Sequence, residues 1–249
     1  MRIPRIYTGQ VLQAESTFEL EPGPSQHIAR ALRMQVGDSL VLFDGRGGEY
    51  PAVIAELAKK HVAVTTGKHH LQDVESPLAV HLGIAVSRGE RMDWIVQKAT
   101  ELGIAAITPL FSQRTEVKLK GERADRKLRH WQQIAVSACE QCGRNRLPVI
   151  HAIRDIDNWL QATEADRKFV LHHRSDQCAN SDRAPHSLAL LVGPEGGLTP
   201  EEISAAEGNG YQPLRLGPRV LRTETAPLAA IAILQARWGD MNADAARCR

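Results

Sequence analysis

The hydrophobic pattern divides the chain into two regimes. In the first, apolar positions come in short, closely spaced runs. Ser39–Phe43 (SLVLF) has the length of a strand and runs into Asp44-Gly45, a pair that favours a tight turn. Tyr50–Leu57 is a second such run, and residues 61–66 alternate again after the polar pair Lys59-Lys60. Ahead of them, residues 27–34 (HIARALRM) predict a short helix that stops at Val36-Gly37-Asp38. Several short strands at this spacing predict a small β-barrel. Residues 67–77 are polar and without period, and predict a linker.

Beyond residue 77 the period changes. Residues 78–86 form an unbroken apolar run, as in a strand buried on both faces. Residues 91–102 place Met92, Ile95, Val96, Ala99 and Leu102 on one helical stripe. A strand at 105–111 follows, then a long helix at 124–142 with Leu128, Trp131, Ile134, Ala135, Ala138, Cys139 and Cys142 at helical spacing. A strand at 148–153, a helix at 156–163 and a strand at 168–172 continue the alternation, which predicts an α/β domain with a mostly parallel sheet. The expected division is therefore a β-barrel domain over 1–72 and an α/β domain over 73–249, with the polar tail after Trp238 fraying.

Composition adds limits rather than identity. A hydrophobic fraction of 43% with 24% charged residues fits a folded chain and excludes disorder. No run approaches the ~20 apolar residues of a membrane span. The start, MRIPRIY, has basic residues without an apolar segment behind them, unlike a signal peptide. Four cysteines, at 139, 142, 178 and 248, do not make a disulfide framework in a chain this long, so a cytoplasmic location without membrane association is expected. The net charge of +2 points to no partner. Its distribution is more telling, since residues 88–146 hold twelve Lys or Arg against seven Asp or Glu. Such an excess tracks phosphates or coats a solvated helix face.

Two loops carry the candidate chemistry. In the first, the apolar run at 188–192 enters Gly193-Pro194-Glu195-Gly196-Gly197-Leu198, followed by Thr199-Pro200-Glu201-Glu202. Thr199 can cap a helix, Pro200 suits its first position and Glu202 completes a capping box. The glycines admit a ligand or another backbone at close range, and open α/β sheets bind ligands past the carboxyl ends of their strands. Neither GxxxxGK[ST] nor a GxGxxG after a strand is present, which argues against a phosphate loop and a dinucleotide fold. A turn that merely connects strand to helix is the alternative reading. In the second loop, Leu216-Gly217-Pro218 leads to Arg219, Val220, Leu221, Arg222, Thr223, Glu224 and Thr225, with Thr225 as the expected cap of the last helix. An apolar pair set among directing polar groups suits a purine pocket, whereas a surface Arg–Glu pair is the plainer alternative.

At this point the motifs resemble a known family. GPEGGLTPEE followed by LGPRVLRTETAPLAAIA is similar to the last two motifs of the SPOUT methyltransferases. MRIPRIY, HIARALRM, SRGERMDWIVQKATELGI, ITPLFSQRTEVKL and ACEQCGRNRLP extend the resemblance, in order, to the ribosomal RNA small subunit methyltransferase E family. The resemblance implies a PUA-like N-terminal domain, a trefoil-knotted SPOUT domain, bound S-adenosyl-L-methionine (SAM), a homodimer, and methylation of uridine N3 in the decoding region of 16S rRNA. Carried onto this sequence, it assigns SAM binding to Gly193, Pro194, Glu195, Gly197, Leu216, Gly217, Val220, Leu221, Arg222 and Thr223, with Leu171 and His172 from a less regular third segment.

SAM presents its methyl group already activated on a sulfonium, so no metal is called for. Uridine N3 must lose a proton before it attacks. A positioned base supplies ~10²–10⁴-fold, and a cationic donor stabilises the resulting anion. Arg222 is the candidate donor, and Glu195 or Glu224 the candidate base. Phosphate contacts are expected from Arg2, Arg5, Arg30 and Arg33 in the first domain. Arg88, Lys98, Arg114, Lys118, Arg144 and Arg146 are the candidates in the second, with Glu140 and Gln141 also candidates for meeting RNA or fixing the knot. Cys139-x-x-Cys142 lies on an apolar helical stripe without a second such pair and reads as core packing rather than a zinc or redox site; His172, His173 and Cys178 lack a fourth ligand at zinc spacing. The rival readings are another SPOUT target, an RNA-binding assembly factor without activity, and a nucleotide-dependent oxidoreductase, which the absent GxGxxG disfavours.

Overall fold

A computed structural model describes residues 3–58, 61–117, 119–172 and 183–241. The chain forms two compact units, one of residues 1–75 with 136–147, the other of residues 76–135 with 148–249.

The first unit holds strands β1 (Arg5–Tyr7) and β2 (Thr17–Glu19), helix α1 (Pro22–Gln26), and strands β3 (Ser39–Phe43), β4 (Tyr50–Leu57) and β5 (Val62–Thr66). The sheet order is β1-β3-β4-β5-β2, parallel between β1 and β3 and antiparallel elsewhere. Strand alternation decides the core: Leu40 and Leu42, Ala52 and Ile54, Val62 and Val64 point to one side, where Ile6, Leu12, Leu20 and Ile28 join them. The helix expected over 27–34 is the second half of a longer element. Pro22 starts it at the first helical position, and residues His27–Leu32 widen into a π-helical turn that ends on Arg33 at φ +54°. The three-residue strands β1 and β2 are too short to leave a pattern in the sequence.

The expected linker is tied down within this unit. Glu49 and His70 exchange both backbone hydrogen bonds, at 2.9 and 2.8 Å, and the His69 ring stacks on Tyr50. Gln72 O accepts from Asn145 Nδ2 at 2.8 Å, Asp73 Oδ2 from Arg146 Nε at 2.9 Å, and Glu75 pairs with Arg144.

The second unit contains β6 (Ala79–Ala85), α2 (Arg91–Glu101), β7 (Ala106–Phe111), most of α3 (Glu122–Cys142), β8 (Val149–Ile150), β9 (Arg154–Asp155), α4 (Ile156–Ala162), β10 (Arg167–Leu171), β11 (Ser187–Val192), α5 (Pro200–Gly208), β12 (Gln212–Leu214) and α6 (Ala226–Trp238). The main sheet path is β12-β10-β11-β6-β7-β8, with β9 paired to β7, and every pair is parallel. The strand predicted over 148–153 is thus limited to β8, with β9 following just beyond it. Successive side chains serve opposite faces. Val80, Leu82, Ile84, Leu188, Leu190 and Val192 pack with α2, α3 and α6, while Ala189, Leu191 and Val170 pack with α4 and α5. This two-sided burial explains why β6 and β11 read as unbroken apolar runs. Among the described residues no helix is long and apolar enough to cross a membrane.

Candidate active site

The parallel registers set the carboxyl ends of four neighbouring strands along one edge. Val192 lies opposite Ile84, Val170 opposite Leu191 and Leu171 opposite Leu214, with His172 N donating to Leu214 O at 3.3 Å. The segments leaving this edge include 86–90, 193–199 and 215–225. Leu171 and His172, the glycine-rich loop and the second loop are therefore brought to one edge, as expected of a ligand site in a parallel sheet.

The first loop is a tight reversal. Gly197 N donates to Pro194 O at 2.8 Å, and a Cβ on Gly193 would lie 2.9 Å from both Leu198 N and Leu198 Cγ, so only glycine fits there. The capping box is complete: Thr199 Oγ1 accepts from Glu202 N at 3.2 Å, and Glu202 Oε2 accepts from Thr199 N at 2.8 Å. Glu202 is buried, and its second oxygen accepts from Gln113 N at 2.7 Å. Arg114 Nη1 donates to Gly196 O at 2.8 Å, so this candidate phosphate contact holds the loop itself.

In the second loop, Gly217 adopts φ +92°, which a side chain would resist. Thr225 occupies the N-cap position of α6, but its side chain makes no cap hydrogen bond; Arg222 O instead accepts from Thr225 N and Ala226 N, both at 2.9 Å. Val220 is 80% exposed and Leu221 half-buried. The amides of Val220, Leu221 and Thr223 donate to nothing among the described residues. Uncovered apolar side chains beside amides with no partner among the described residues fit a ligand with a flat apolar body and a polar edge, as adenine has. The Arg222 side chain is exposed, whereas Thr223 is buried.

Arg91, which sequence reasoning missed, links the two loops. From the first turn of α2 its Nη1 donates to Glu195 Oε1 at 2.5 Å, and its Nε lies 3.6 Å from Glu224 Oε2. Arg88 N also donates to Glu195 Oε1, at 3.3 Å. Partial burial works to raise the Glu195 carboxyl, but the hydrogen bonds from backbone and from Arg91 outweigh it and hold the group below its ordinary range. A carboxylate so held is a weak base. Glu195 is thus anchored by Arg91 and by Arg88 N, while Glu224, half-buried, shares Arg91 and lies in a cleft wall. That cleft has a volume of about 930 Å³ and is lined by Arg88, Arg91, Trp94, Gln97, Ile134 and Glu224 among others. The sequence signal for Arg91 was its place at a helix start, off the apolar stripe, but its partners lie more than a hundred residues away.

The remaining candidates fall apart by environment. Arg5 is paired with Glu49 and bonded to Asn145 Oδ1 at 2.5 Å, and Arg144 is paired with Glu75 with its side chain only 5% exposed. Both guanidiniums are thus taken up by partners within the first unit. Arg146 keeps 55% of its side chain exposed beside Asp73. Arg30 and Arg33 are exposed, Arg88 pairs with Glu116, and Lys98 bonds Glu101 at 2.8 Å. Arg2, Lys118, His173, Cys178 and Cys248 lie outside the described residues. Glu140 Oε1 accepts from Tyr7 N at 3.0 Å, an architectural contact. Burial pushes the Cys139 thiol up to about 12, so it is an inert packing group. Among the described residues no three His, Cys, Asp or Glu side chains are placed to hold a metal.

The comparisons with known proteins agree with this layout. Residues 74–235 match the family model of an RNA methyltransferase domain, and residues 25–66 that of an RNA methyltransferase PUA domain. The fold and the loops thus define an RNA methyltransferase of the SPOUT type carrying a PUA-like domain. A ribosomal RNA small subunit methyltransferase E from Buchnera aphidicola (subsp. Acyrthosiphon pisum) is 34% identical over 96% of this chain and 95% of its own. A solved methyltransferase from Legionella pneumophila, in complex with SAM, is 41% identical with a TM-score of 0.93, covering 96% of this chain and 100% of its own. The ribosomal RNA small subunit methyltransferase E of Neisseria gonorrhoeae, bound to S-adenosyl methionine, gives 37% identity and a TM-score of 0.91 over 97% of this chain and 100% of its own. The chain belongs to the ribosomal RNA small subunit methyltransferase E family.

Proposed function

We propose that this chain transfers the methyl group of SAM to N3 of a uridine in the decoding region of 16S rRNA, giving 3-methyluridine. The observation that carries the reading is the pair of loops at the carboxyl edge, tied together by Arg91 through Glu195 and Glu224. The amides of Val220, Leu221 and Thr223, without partners among the described residues, and the uncovered Val220 side chain fit the cofactor's adenine, with Leu216, Gly217 and the Arg222 backbone beside them. Gly193, Pro194, Glu195 and Gly197, with Leu171 and His172, complete the binding set. When bound, SAM supplies a methyl group activated on its sulfonium.

The protein's own tasks are to hold the base and to manage one proton and one charge. Glu224 accepts the proton from N3. Arg222, exposed on the loop, donates to a uracil carbonyl and stabilises the negative charge left on the ring. Holding N3 in line with the donor supplies much of the remaining acceleration. The exposed Arg30 and Arg33 of the first unit and Arg146 are the phosphate contacts best supported by their solvent access.

The same reading carries a PUA-like domain over 1–72 and a methyltransferase domain over 73–249, supported by the gap between the two family matches. It also carries a C-terminal trefoil knot, supported by the insertion of the late strand β11 between β6 and β10, and a cytoplasmic homodimer. An Arg222→Ala variant tests the chemical assignment. Its SAM affinity by calorimetry should stay within about threefold of wild type, while methyl transfer to unmodified small subunits falls about 100-fold or more. Loss of SAM affinity in step with the rate, or no loss of rate, would contradict it.

A further inference from the structure

Helix α2 turns an unusual residue toward the cleft beside the two loops. Trp94 is 52% exposed, whereas Trp131, Trp159 and Trp238 are exposed by only 1%, 1% and 8%. Its position is fixed from behind. Met92, Ile95, Val96 and Ala99 are buried in the core, Asp93 accepts from Trp131 Nε1 at 3.0 Å, and Asp93 pairs with His130 at 2.8 Å. Arg91, Trp94 and Gln97 then share the outward stripe, at helical spacing, and all three line the cleft with Glu224. Lys98 Nζ lies 5.2 Å from the centre of the Trp94 ring. The half-buried Gln97 amide makes no hydrogen bond among the described residues. Arg88 and Arg91 in the lining are offset by Glu90, Asp93 and Glu224, so the cleft suits a neutral, flat, polar-edged group better than a phosphate.

We propose that Trp94 is the platform on which the acceptor uracil stacks, with Gln97 donating to one of its carbonyl oxygens. The inference rests on the methyl-transfer reading above and adds the residues that hold the acceptor base. An extruded pyrimidine needs one aromatic face and a directing donor on its edge, and this cleft offers both next to the loops assigned to the methyl donor. Trp94 and Gln97 are positioning residues.

The test uses the full chain and unmodified 16S rRNA. Trp94 is the one exposed tryptophan of the four, so acrylamide quenching of fluorescence reports on it. RNA should protect it from acrylamide. In Trp94→Ala, kcat/KM for RNA should fall about 5- to 150-fold, the range expected for loss of one stacked base. SAM affinity by calorimetry should hold within twofold, and Trp94→Phe should restore most of the rate. Transfer by Trp94→Ala at the wild-type rate would overturn the proposal, as would failure of Trp94→Phe to recover any of the loss. A tryptophan already shielded in the free protein, with Trp94→Ala halving the mass in solution, would also overturn it and make the cleft a contact between copies of the chain. If the wild type transfers no methyl group to this RNA or to unmodified small subunits, the methyl-transfer reading fails by itself. Protection of Trp94 by RNA then still decides whether the cleft takes a base.

Discussion

At the scale of single residues, the loops depend on groups that cannot be exchanged for close relatives. Gly193 has no room for a Cβ against Leu198, and among the described residues Arg91 alone reaches both Glu195 and Glu224. The side chains of Arg91 and Glu195 are 40% and 38% exposed, and a pair so exposed contributes ~0–1 kcal/mol. Arg91→Met should therefore weaken SAM binding about fivefold rather than abolish it, as titration calorimetry will show. The pH dependence has a definite sign. Because the folded protein holds Glu195 below its ordinary value of 4.5, the Arg91 contact is complete above that value and is lost only as pH falls through the lower, folded value. The part of SAM affinity that Arg91 confers should be constant from pH 8 to about 5. A decline starting near neutrality in wild type but not in Arg91→Met would count against the contact.

At the scale of elements, α5 begins where the first loop ends, and its capping box fixes that junction. The buried Glu202 satisfies Thr199 N with one oxygen and Gln113 N with the other, joining the helix start to the chain that follows β7. Thr199→Ala should cost about 1 kcal/mol in urea unfolding, the usual value of an N-cap. Elements of this kind were legible beforehand, since Thr199, Pro200 and Glu202 stand at fixed spacing in four consecutive residues. The α2 and α3 stripes and the apolar runs of β6 and β11 were legible for the same reason, a period repeated over several turns or residues. Thr225 does hold the N-cap position of α6, but its side chain makes no cap bond, because the backbone turn at Arg222 already takes the amides of Thr225 and Ala226. What stayed hidden was chemistry between distant positions. Arg5 and Arg144 read as phosphate-contact candidates, and only the fold supplies Glu49 and Glu75 as their partners. Trp94 was visible as a residue off its helix stripe, but nothing in the sequence places a cleft before it.

At the scale of the whole molecule, the chain is read twice by its own charges. Residues 136–147, late in α3 and after it, belong with the first unit, and their arginines secure the stretch that precedes β6. The Arg144–Glu75 pair is largely buried, and removing one partner strands the other charge. Glu75→Ala should destabilise the protein by about 3 kcal/mol, measured by urea unfolding, with the double variant Glu75→Ala and Arg144→Met recovering part of that loss. A loss below about 0.5 kcal/mol would reduce the pair to a surface contact. The excess of basic residues between 88 and 146 is thus divided between architecture and solvent, and fewer of these residues remain for RNA than their number suggests.

In the proposed function, the two loops and the cleft beside them methylate a uridine of the small-subunit RNA at N3. The most direct measurement is incubation of the purified protein with isotopically labelled SAM and unmodified small ribosomal subunits, followed by digestion and mass spectrometry of the nucleosides. Label is expected in 3-methyluridine and in no other nucleoside. Label in a ribose-methylated nucleoside or in a different base would contradict the assignment of the acceptor. Absence of label from both subunits and free 16S rRNA, in a protein that binds SAM, would contradict the activity itself.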